Sequence, residues 1–206
     1  MQTTAKNILI ATGNEGKLIE FKDLLSDSPF VVHSLKEFPN VEEVAETGET
    51  FAENAAIKAR AYAKQTKVLT IADDSGLEVV ALGNAPGVFS ARYGGEGLKN
   101  EQRIEKLLSE LEKTNDLHRK ARFVCVVAIA NSDGEILFRA NGACEGTIAV
   151  KPRGYNGFGY DSIFIPNGFN ETFGELSPQI KRKISHRALA MREIQMFFNN
   201  YLRETT

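Results

Sequence analysis

The sequence predicts an α/β protein, a mixed β-sheet flanked by helices, and three observations lead there. Short apolar, β-branched runs alternate with amphipathic stretches through the first half of the chain. An Asp133-Gly134 pair joins two apolar runs in the middle, a strong hairpin signal that calls for antiparallel pairing beside the alternating elements. Glycine-bearing loops, Thr12 to Lys17 and Gly154 to Asp161, sit next to predicted strands. Together these imply a mixed sheet with helices packed against it.

In chain order, Asn7 to Ala11 reads as a short buried strand. Gly16 to Leu25 reads as a helix, with Leu18, Phe21, Leu24 and Leu25 on one face. Phe30 to Ser34 is a second strand. Thr50-Phe51-Ala52-Glu53 has the capping-box pattern, so a helix starts at Phe51 and its alanine-rich body runs to about Lys64. Lys67 to Ala72 is a strand that ends in Asp73-Asp74-Ser75-Gly76, with strand character resuming over Leu77 to Leu82. Asn84 to Leu98 reads as a long loop, and Asn100 to Lys113 as an amphipathic helix burying Ile104, Leu107, Leu108 and Leu111. Arg122 to Ala130 and Glu135 to Ala140 form the hairpin, and Glu145 to Val150 continues the sheet. Ser162 to Ile165 is a short strand, and a last helix runs from His186 to Tyr201 behind Ser185 as N-cap. The expectation is one domain over residues 1–206.

Composition narrows the function classes. The chain has 206 residues, 42% of them hydrophobic and 25% charged, which suits a folded domain with a real core. Its formal net charge of −2 supplies no global field for a polyanion, which argues against a dedicated binder of nucleic-acid polymer. No long apolar run marks a signal peptide or a membrane span, so the cytoplasm is the expected compartment. Cys125 and Cys144 each lie in an apolar stretch with no CxxC or nearby His, and read as buried thiols rather than a metal pair.

Five features carry possible chemistry. In Thr12-Gly13-Asn14-Glu15-Gly16-Lys17 a strand ends, the chain turns on glycine and a helix begins. Outward-facing N–H groups there attract phosphate and Lys17 adds a full charge, but the spacing is not that of the common P-loop and a plain turn also fits. Asp73-Asp74-Ser75-Gly76, at the end of a strand, can bind Mg²⁺ or poise a water, or be a surface turn. Of Glu42, Glu43, Glu46 and Glu49, most read as a solvated loop; one can supply a ligand opposite Asp74. Gly157-Phe158-Gly159-Tyr160-Asp161 offers close backbone approach and aromatic faces suited to a flat base, or plugs the core. Lys181, Arg182, Lys183, His186 and Arg187 form a basic cluster. Cations at the start of a helix oppose its dipole unless an anion is present, which hints at an anionic ligand.

These pieces, in this order, resemble the Ham1-like family, the inosine triphosphate pyrophosphatase or RdgB-like nucleotide pyrophosphatases. The matching stretches are Ala11 to Lys17, Thr47 to Ala55, Ala72 to Leu77, Ala85-Pro86-Gly87 with Ser90 to Tyr93, Gly157 to Asp161, and Ile184 to Arg187. Each is weak alone; the ordered set is specific. The resemblance implies hydrolysis of the non-standard purine triphosphates ITP, dITP and XTP to monophosphate and pyrophosphate. It also implies a Mg²⁺ requirement, a homodimer, and a long mixed sheet with two lobes and the site in the cleft between them. Carried over by position, Thr12, Gly13, Asn14, Glu15, Gly16 and Lys17 bind phosphates, with Lys58 reaching them from its helix. Asp74 binds metal and acts as the base, and Glu46 is the second metal ligand. Ser75, Phe158, Gly159, Tyr160, Asp161, Lys181, His186 and Arg187 bind substrate. Ser162 departs from the family, which often has proline there. Rival readings are a Maf-like pyrophosphatase for other modified nucleotides and a non-catalytic nucleotide-binding protein.

Overall fold

A computed structural model describes residues 6–204. The lead-in before Lys6, in which no signal peptide was expected, lies outside them. Six strands form one mixed sheet in the order β2-β1-β3-β4-β5-β6. They are β1 (Lys6–Ile10), β2 (Phe30–Ser34), β3 (Leu69–Val79), β4 (Lys120–Ala130), β5 (Ile136–Ile148) and β6 (Phe164–Pro166). The helices are α1 (Glu15–Leu24), α2 (Phe51–Thr66), α3 (Asn100–Glu112), α4 (Pro178–Ile184) and α5 (His186–Glu204). The chain divides into two compact units: unit 1 takes residues 6–74, 125–142 and 187–204, and unit 2 takes 75–124 and 143–186. The long strands β3, β4 and β5 contribute residues to both.

In unit 1, β1 runs parallel to β2 and to β3, pairing Ile8 with Val32 and Ile10 with Ile71. Alternate residues of the strands face one core: Ile8 and Ile10 of β1, Ile71 of β3, and Cys125, Val127 and Ile129 of β4. Leu18 and Phe21 of α1 and Ala190, Met191, Ile194 and Phe198 of α5 cover them. Each large side chain buried here contributes about 1.5–3 kcal/mol. The capping box at the start of α2 is formed as the sequence predicts: Thr50 accepts from Glu53 N–H and the Glu53 carboxylate accepts from Thr50 N–H. The Asn131–Glu135 turn between β4 and β5 closes through Gly134 N–H donating to Asn131 C=O at 2.9 Å. Gly134 has a φ of 80°, which suits glycine there.

In unit 2 the core gathers Leu77 and Val79 of β3, Ile104, Leu107 and Leu111 of α3, and a set of phenylalanines, Phe123, Phe164 and Phe173. Phe123 and Phe164 meet at 4.7 Å between ring centroids. The short β6 pairs antiparallel with the end of β5, Thr147 opposite Ile165.

Several elements differ from the sequence reading; Val80–Leu82, expected as strand, is a 3-10 helix, and Gly87–Arg92 forms another within the expected loop. Asp73-Asp74-Ser75-Gly76 is neither a turn nor the end of a strand; β3 runs through it without a break. A Cβ on Gly76 would stand 2.4 Å from both Gly87 O and Ser90 Oγ, so this glycine serves close packing rather than a turn. Likewise β5 is one strand through Asn141-Gly142, where two had been expected. The basic run at 181–183 lies on α4, a short helix with Pro178 in its first turn, which the sequence reading missed. Both cysteines are buried free thiols, as expected, and burial pushes Cys125 up to about 12, with Asp73 adding to the rise.

Candidate active site

The first loop is shaped by its own side chains. Thr12 Oγ1 accepts from Asn14 N–H at 3.1 Å, and Asn14 caps α1 by accepting from Lys17 N–H at 3.0 Å. Glu15 and Gly16 then present the first-turn N–H groups that a helix does not itself satisfy. The Glu15 side chain is exposed and pairs with Lys36 at 2.7 Å, so any role in holding an anion belongs to its backbone. A Cβ on Gly13 would meet nothing within 4 Å. The protein's own packing therefore leaves open space above the loop backbone.

Lys17 turns back from this loop to Asp73, Nζ to Oδ2 at 3.0 Å. Asp73 is fully buried on β3, and Arg187 at the start of α5 approaches the same oxygen at 3.4 Å while also pairing with Glu20 of α1. Burial alone would raise the Asp73 pKa, but Lys17, Arg187 and Lys58 outweigh it and hold the carboxyl below the usual carboxylate range. The anion that the cationic start of α5 calls for is thus present within the chain, as Asp73 and Glu20. Arg187 is only 1% exposed.

Asp74 behaves in the opposite way. Side chains of consecutive strand residues point to opposite faces, so the two acids of β3 are separated by the sheet itself. Asp74 meets α2, where Asn54 Nδ2 donates to its Oδ2 at 3.0 Å. Burial raises its pKa, Lys58, Lys17 and the Asn54 hydrogen bond pull it down, Glu46 pushes it up, and the net direction is upward. Lys58 lies buried beside it and bonds Glu46 at 2.6 Å. Burial works to deprotonate Lys58, but Asp73, Asp74 and Glu46 hold its pKa above the ordinary lysine value. Of the four acids in the 42–49 loop, Glu46 turns inward while Glu42, Glu43 and Glu49 are exposed. The loop is tied to α2 through Val44 N–H on Tyr62 Oη and Gly48 N–H on Asn54 Oδ1.

Unit 2 assembles the other predicted residues. Asp161 and Lys181 form a buried ion pair, and the Asp161 carboxylate also accepts from Phe158 N–H at 2.7 Å. A Cβ on Gly157 would collide with that carboxylate, at 2.0 Å from Oδ2, and Gly157 has a φ of 76°, so both space and backbone select glycine. Lys181 Nζ lies 5.0 Å from the Phe158 ring centroid. Phe158 remains partly exposed. Tyr160 does not offer a stacking face: its ring is buried in the core of unit 2 and its hydroxyl donates to Ser90 C=O at 3.0 Å. His186 is buried and stacks on Phe123 at 4.7 Å with a 14° interplanar angle. Ser75 lies half-buried on β3, and Gly159 half-buried in the loop. Ser185 joins α4 to α5, its N–H donating to Lys181 C=O at 2.9 Å.

Sequence reasoning passed over Asn54, Glu20 and the separate role of Asp73. Asn54 carried a signal, a polar residue amid the alanines of the buried face of α2. Glu20 follows Lys17 by three residues on α1, a spacing that puts both on one face.

An α/β protein with these features has, in unit 1, the means to hold a polyanion at a loop–helix junction beside a buried carboxylate of raised proton affinity. The sequence profile of the Ham1 family matches residues 8–197. A curated relative from Shouchella clausii (strain KSM-K16), a "dITP/XTP pyrophosphatase", is 49% identical over 184 residues, which cover 89% of this chain and 92% of the relative. A solved HAM1 protein from Coxiella burnetii superposes with a TM-score of 0.86 at 43% identity, covering 95% of this chain and 99% of that one. The Staphylococcus aureus Ham1 protein gives a TM-score of 0.83 at 43% identity, covering 95% and 100%. The chain belongs to the Ham1 family.

Proposed function

We propose that this chain hydrolyses the non-standard purine nucleoside triphosphates ITP, dITP and XTP to the monophosphate and pyrophosphate, removing them before they enter DNA or RNA. The observation that carries the reading is Asp74, a buried carboxylate of raised proton affinity held by Asn54 and flanked by Lys58, on a relative-rich scaffold whose relatives bear the name dITP/XTP pyrophosphatase. The relatives favour this over a Maf-like pyrophosphatase, and clustered carboxylates beside a phosphate site favour turnover over mere binding.

Phosphoryl-group cleavage asks a protein chiefly for positioning and electrostatics. The open backbone at Gly13 and the first-turn N–H groups of Glu15 and Gly16 hold phosphate oxygens, with Thr12 and Asn14 shaping the loop. Lys17, held by Asp73, and Lys58 offset phosphate charge. Asp74 accepts a proton from the attacking water; the water oxygen bonds to the α-phosphorus as the anhydride bond between the α- and β-phosphates breaks, and its electron pair leaves with the departing pyrophosphate. Asp74 and Glu46 offer hard oxygen donors, and the repulsion Glu46 adds at Asp74 is what a divalent cation would relieve. Mg²⁺ is commonly shared between a few carboxylates and substrate phosphates, which fits this pair of acids. Bound there, Mg²⁺ would neutralise developing charge on the phosphates.

For the base, Phe158 supplies the stacking face, and Lys181 and Asp161 fix the loop beneath it; the resemblance adds Ser75 and Gly159 as substrate contacts. Of the two donors the resemblance assigns to the base, Arg187 is engaged with Asp73 and Glu20, which leaves His186 to favour the 6-keto acceptor of hypoxanthine and xanthine. A donor left unpaired against adenine costs about 1–3 kcal/mol. The family resemblance extends the proposal to a homodimer in the cytoplasm; among the described residues no helix is long and apolar enough to cross a membrane. The test is pyrophosphate release from ITP, dITP, XTP, GTP and ATP with and without Mg²⁺. Preference for the first three, dependent on metal, is expected; equal rates on ATP and ITP overturn the reading.

A further inference from the structure

We propose that Asn54 is a positioning residue that sets the orientation of the Asp74 carboxylate and links it to the acidic loop. The inference rests on the role given to Asp74 above. Asn54 is fully buried on the inward side of α2, which also carries Phe51, Ala55, Lys58, Ala59 and Tyr62. A buried side-chain amide is tolerated only where its hydrogen bonds are made, and this one is used at both ends. Its Oδ1 accepts from Gly48 N–H at 2.8 Å, and its Nδ2 donates to Asp74 Oδ2 at 3.0 Å.

The two contacts fix the amide without ambiguity. A backbone N–H can only donate, so the oxygen must face Gly48 and the NH₂ must face Asp74. Gly48 makes the first contact possible, since a Cβ there would stand 2.8 Å from Asn54 Oδ1 and 2.6 Å from Glu53 Cβ. With one oxygen held, rotation of the Asp74 carboxylate about its terminal torsion, which is otherwise broad, is restricted. The same amide pins the loop that carries Glu46, two residues before Gly48. Asn54 therefore sets where the base stands without itself touching the reacting atoms. Small displacements of a reacting group cost up to about 100-fold in rate.

Three variants separate the two ends of the amide. Asn54→Asp keeps an acceptor for Gly48 N–H and loses the donor to Asp74. Asn54→Ala loses both. Gly48→Ala presses on the amide oxygen from the loop side while keeping the NH₂ donor to Asp74 in the chain. Each is assayed for pyrophosphate release from ITP with Mg²⁺, beside wild type and Asp74→Asn, with thermal unfolding followed in parallel. Expected are kcat values for Asn54→Asp and Asn54→Ala lower by roughly 10- to 100-fold, KM for ITP within about threefold of wild type because the phosphate loop is untouched, and cooperative unfolding in both. A wild-type kcat in Asn54→Asp together with a reduced kcat in Gly48→Ala would assign Asn54 to the loop alone and overturn the proposal. Loss of cooperative unfolding in both Asn54 variants would assign it to the fold and overturn it as well. If wild type turns over ITP and Asp74→Asn does not, while both Asn54 variants keep wild-type kcat, only the role of Asn54 fails. If wild type does not hydrolyse ITP, the functional reading fails and this inference with it.

Discussion

Unit 1 and unit 2 bury charge in different amounts and to different ends. Unit 1 gathers Lys17, Lys58, Arg187, Asp73, Asp74, Glu20 and Glu46 around the middle of β3 and the ends of α1, α2 and α5, with nearly balanced charge. Unit 2 buries the Lys181–Asp161 ion pair beneath a partly exposed phenylalanine. Four carboxylates against three cations leave the first arrangement short of positive charge, so a polyanion bound beside it calls for a divalent cation. The second suits a flat, nearly neutral ligand, for which a fixed aromatic face and a few donors are enough. Within unit 1 the contrast repeats on a smaller scale. Asp73 is overcompensated and stays ionised, whereas Asp74 is undercompensated and holds a proton more readily. A buried acid with surplus counter-charge is an anchor; one with a deficit has the proton affinity that a base requires.

The largest expected effect falls on that undercompensated acid. Asp74→Asn should lower kcat on ITP by about 10²–10⁴-fold, the usual contribution of a general base, with KM little changed; pyrophosphate release measures it, and an unchanged kcat removes Asp74 from that role. Next, Arg187→Met strips a cation from two carboxylates in the interior of unit 1. Breaking a buried pair in this way costs about 3–5 kcal/mol, read as a lower urea midpoint; a shift under about 0.5 kcal/mol would mean that the cluster does not need it. In unit 2, Phe158→Ala should raise KM for ITP about tenfold while kcat changes less, since base–aromatic stacking is worth about 1–3 kcal/mol. An equal loss in kcat would place Phe158 in the chemical step and blur the division between the units.

The smallest effect is on stability against pH, and it has opposite signs at the two aspartates. The folded pKa of Asp73 is depressed, so its contribution is fully present above the unfolded value near ~3.9 and is lost as pH falls through the folded value. The folded pKa of Asp74 is raised, so its contribution is present below that unfolded value and is lost as pH rises through the folded one. At pH 7 without metal, Asp73→Asn should therefore lower the melting temperature and Asp74→Asn should raise it. Two shifts of the same sign would show that the neighbouring acids share one environment.

Local signals served best where local forces decide. The capping box at Thr50 and Glu53, the Asn14 loop opening α1, and the turn at Asp133-Gly134 were all legible, because each is settled by hydrogen bonds within a few residues. The family resemblance also singled out Phe158, Asp161, Lys58 and Glu46, and the structure joins them in pairs, Phe158 N–H with Asp161 and Lys58 with Glu46. The middle of β3 was misread because Asp, Ser and Gly favour turns locally, whereas here packing against Gly87 and Ser90 holds them extended. The same holds for Asn141-Gly142 in β5. The partners of Asp73 come from α1 and α5, and the salt bridge joining residue 73 to residue 187 leaves no periodicity in the sequence to find.

The uninterrupted course of β3 makes the site a matter of parity. Asp73 and Asp74 differ in role because one residue of pleat separates them, so their assignments rest on the count of residues from the strand's start as much as on their identity. Removing Ala72, or adding one residue beside it, would carry each carboxylate to the other face. Without Ala72, the second aspartate would take the anchor's place before Lys17 and Arg187, and Ser75 would stand opposite Asn54 in place of the base. Both carboxylates would still be present in the chain, yet neither would stand where Asn54 holds the base.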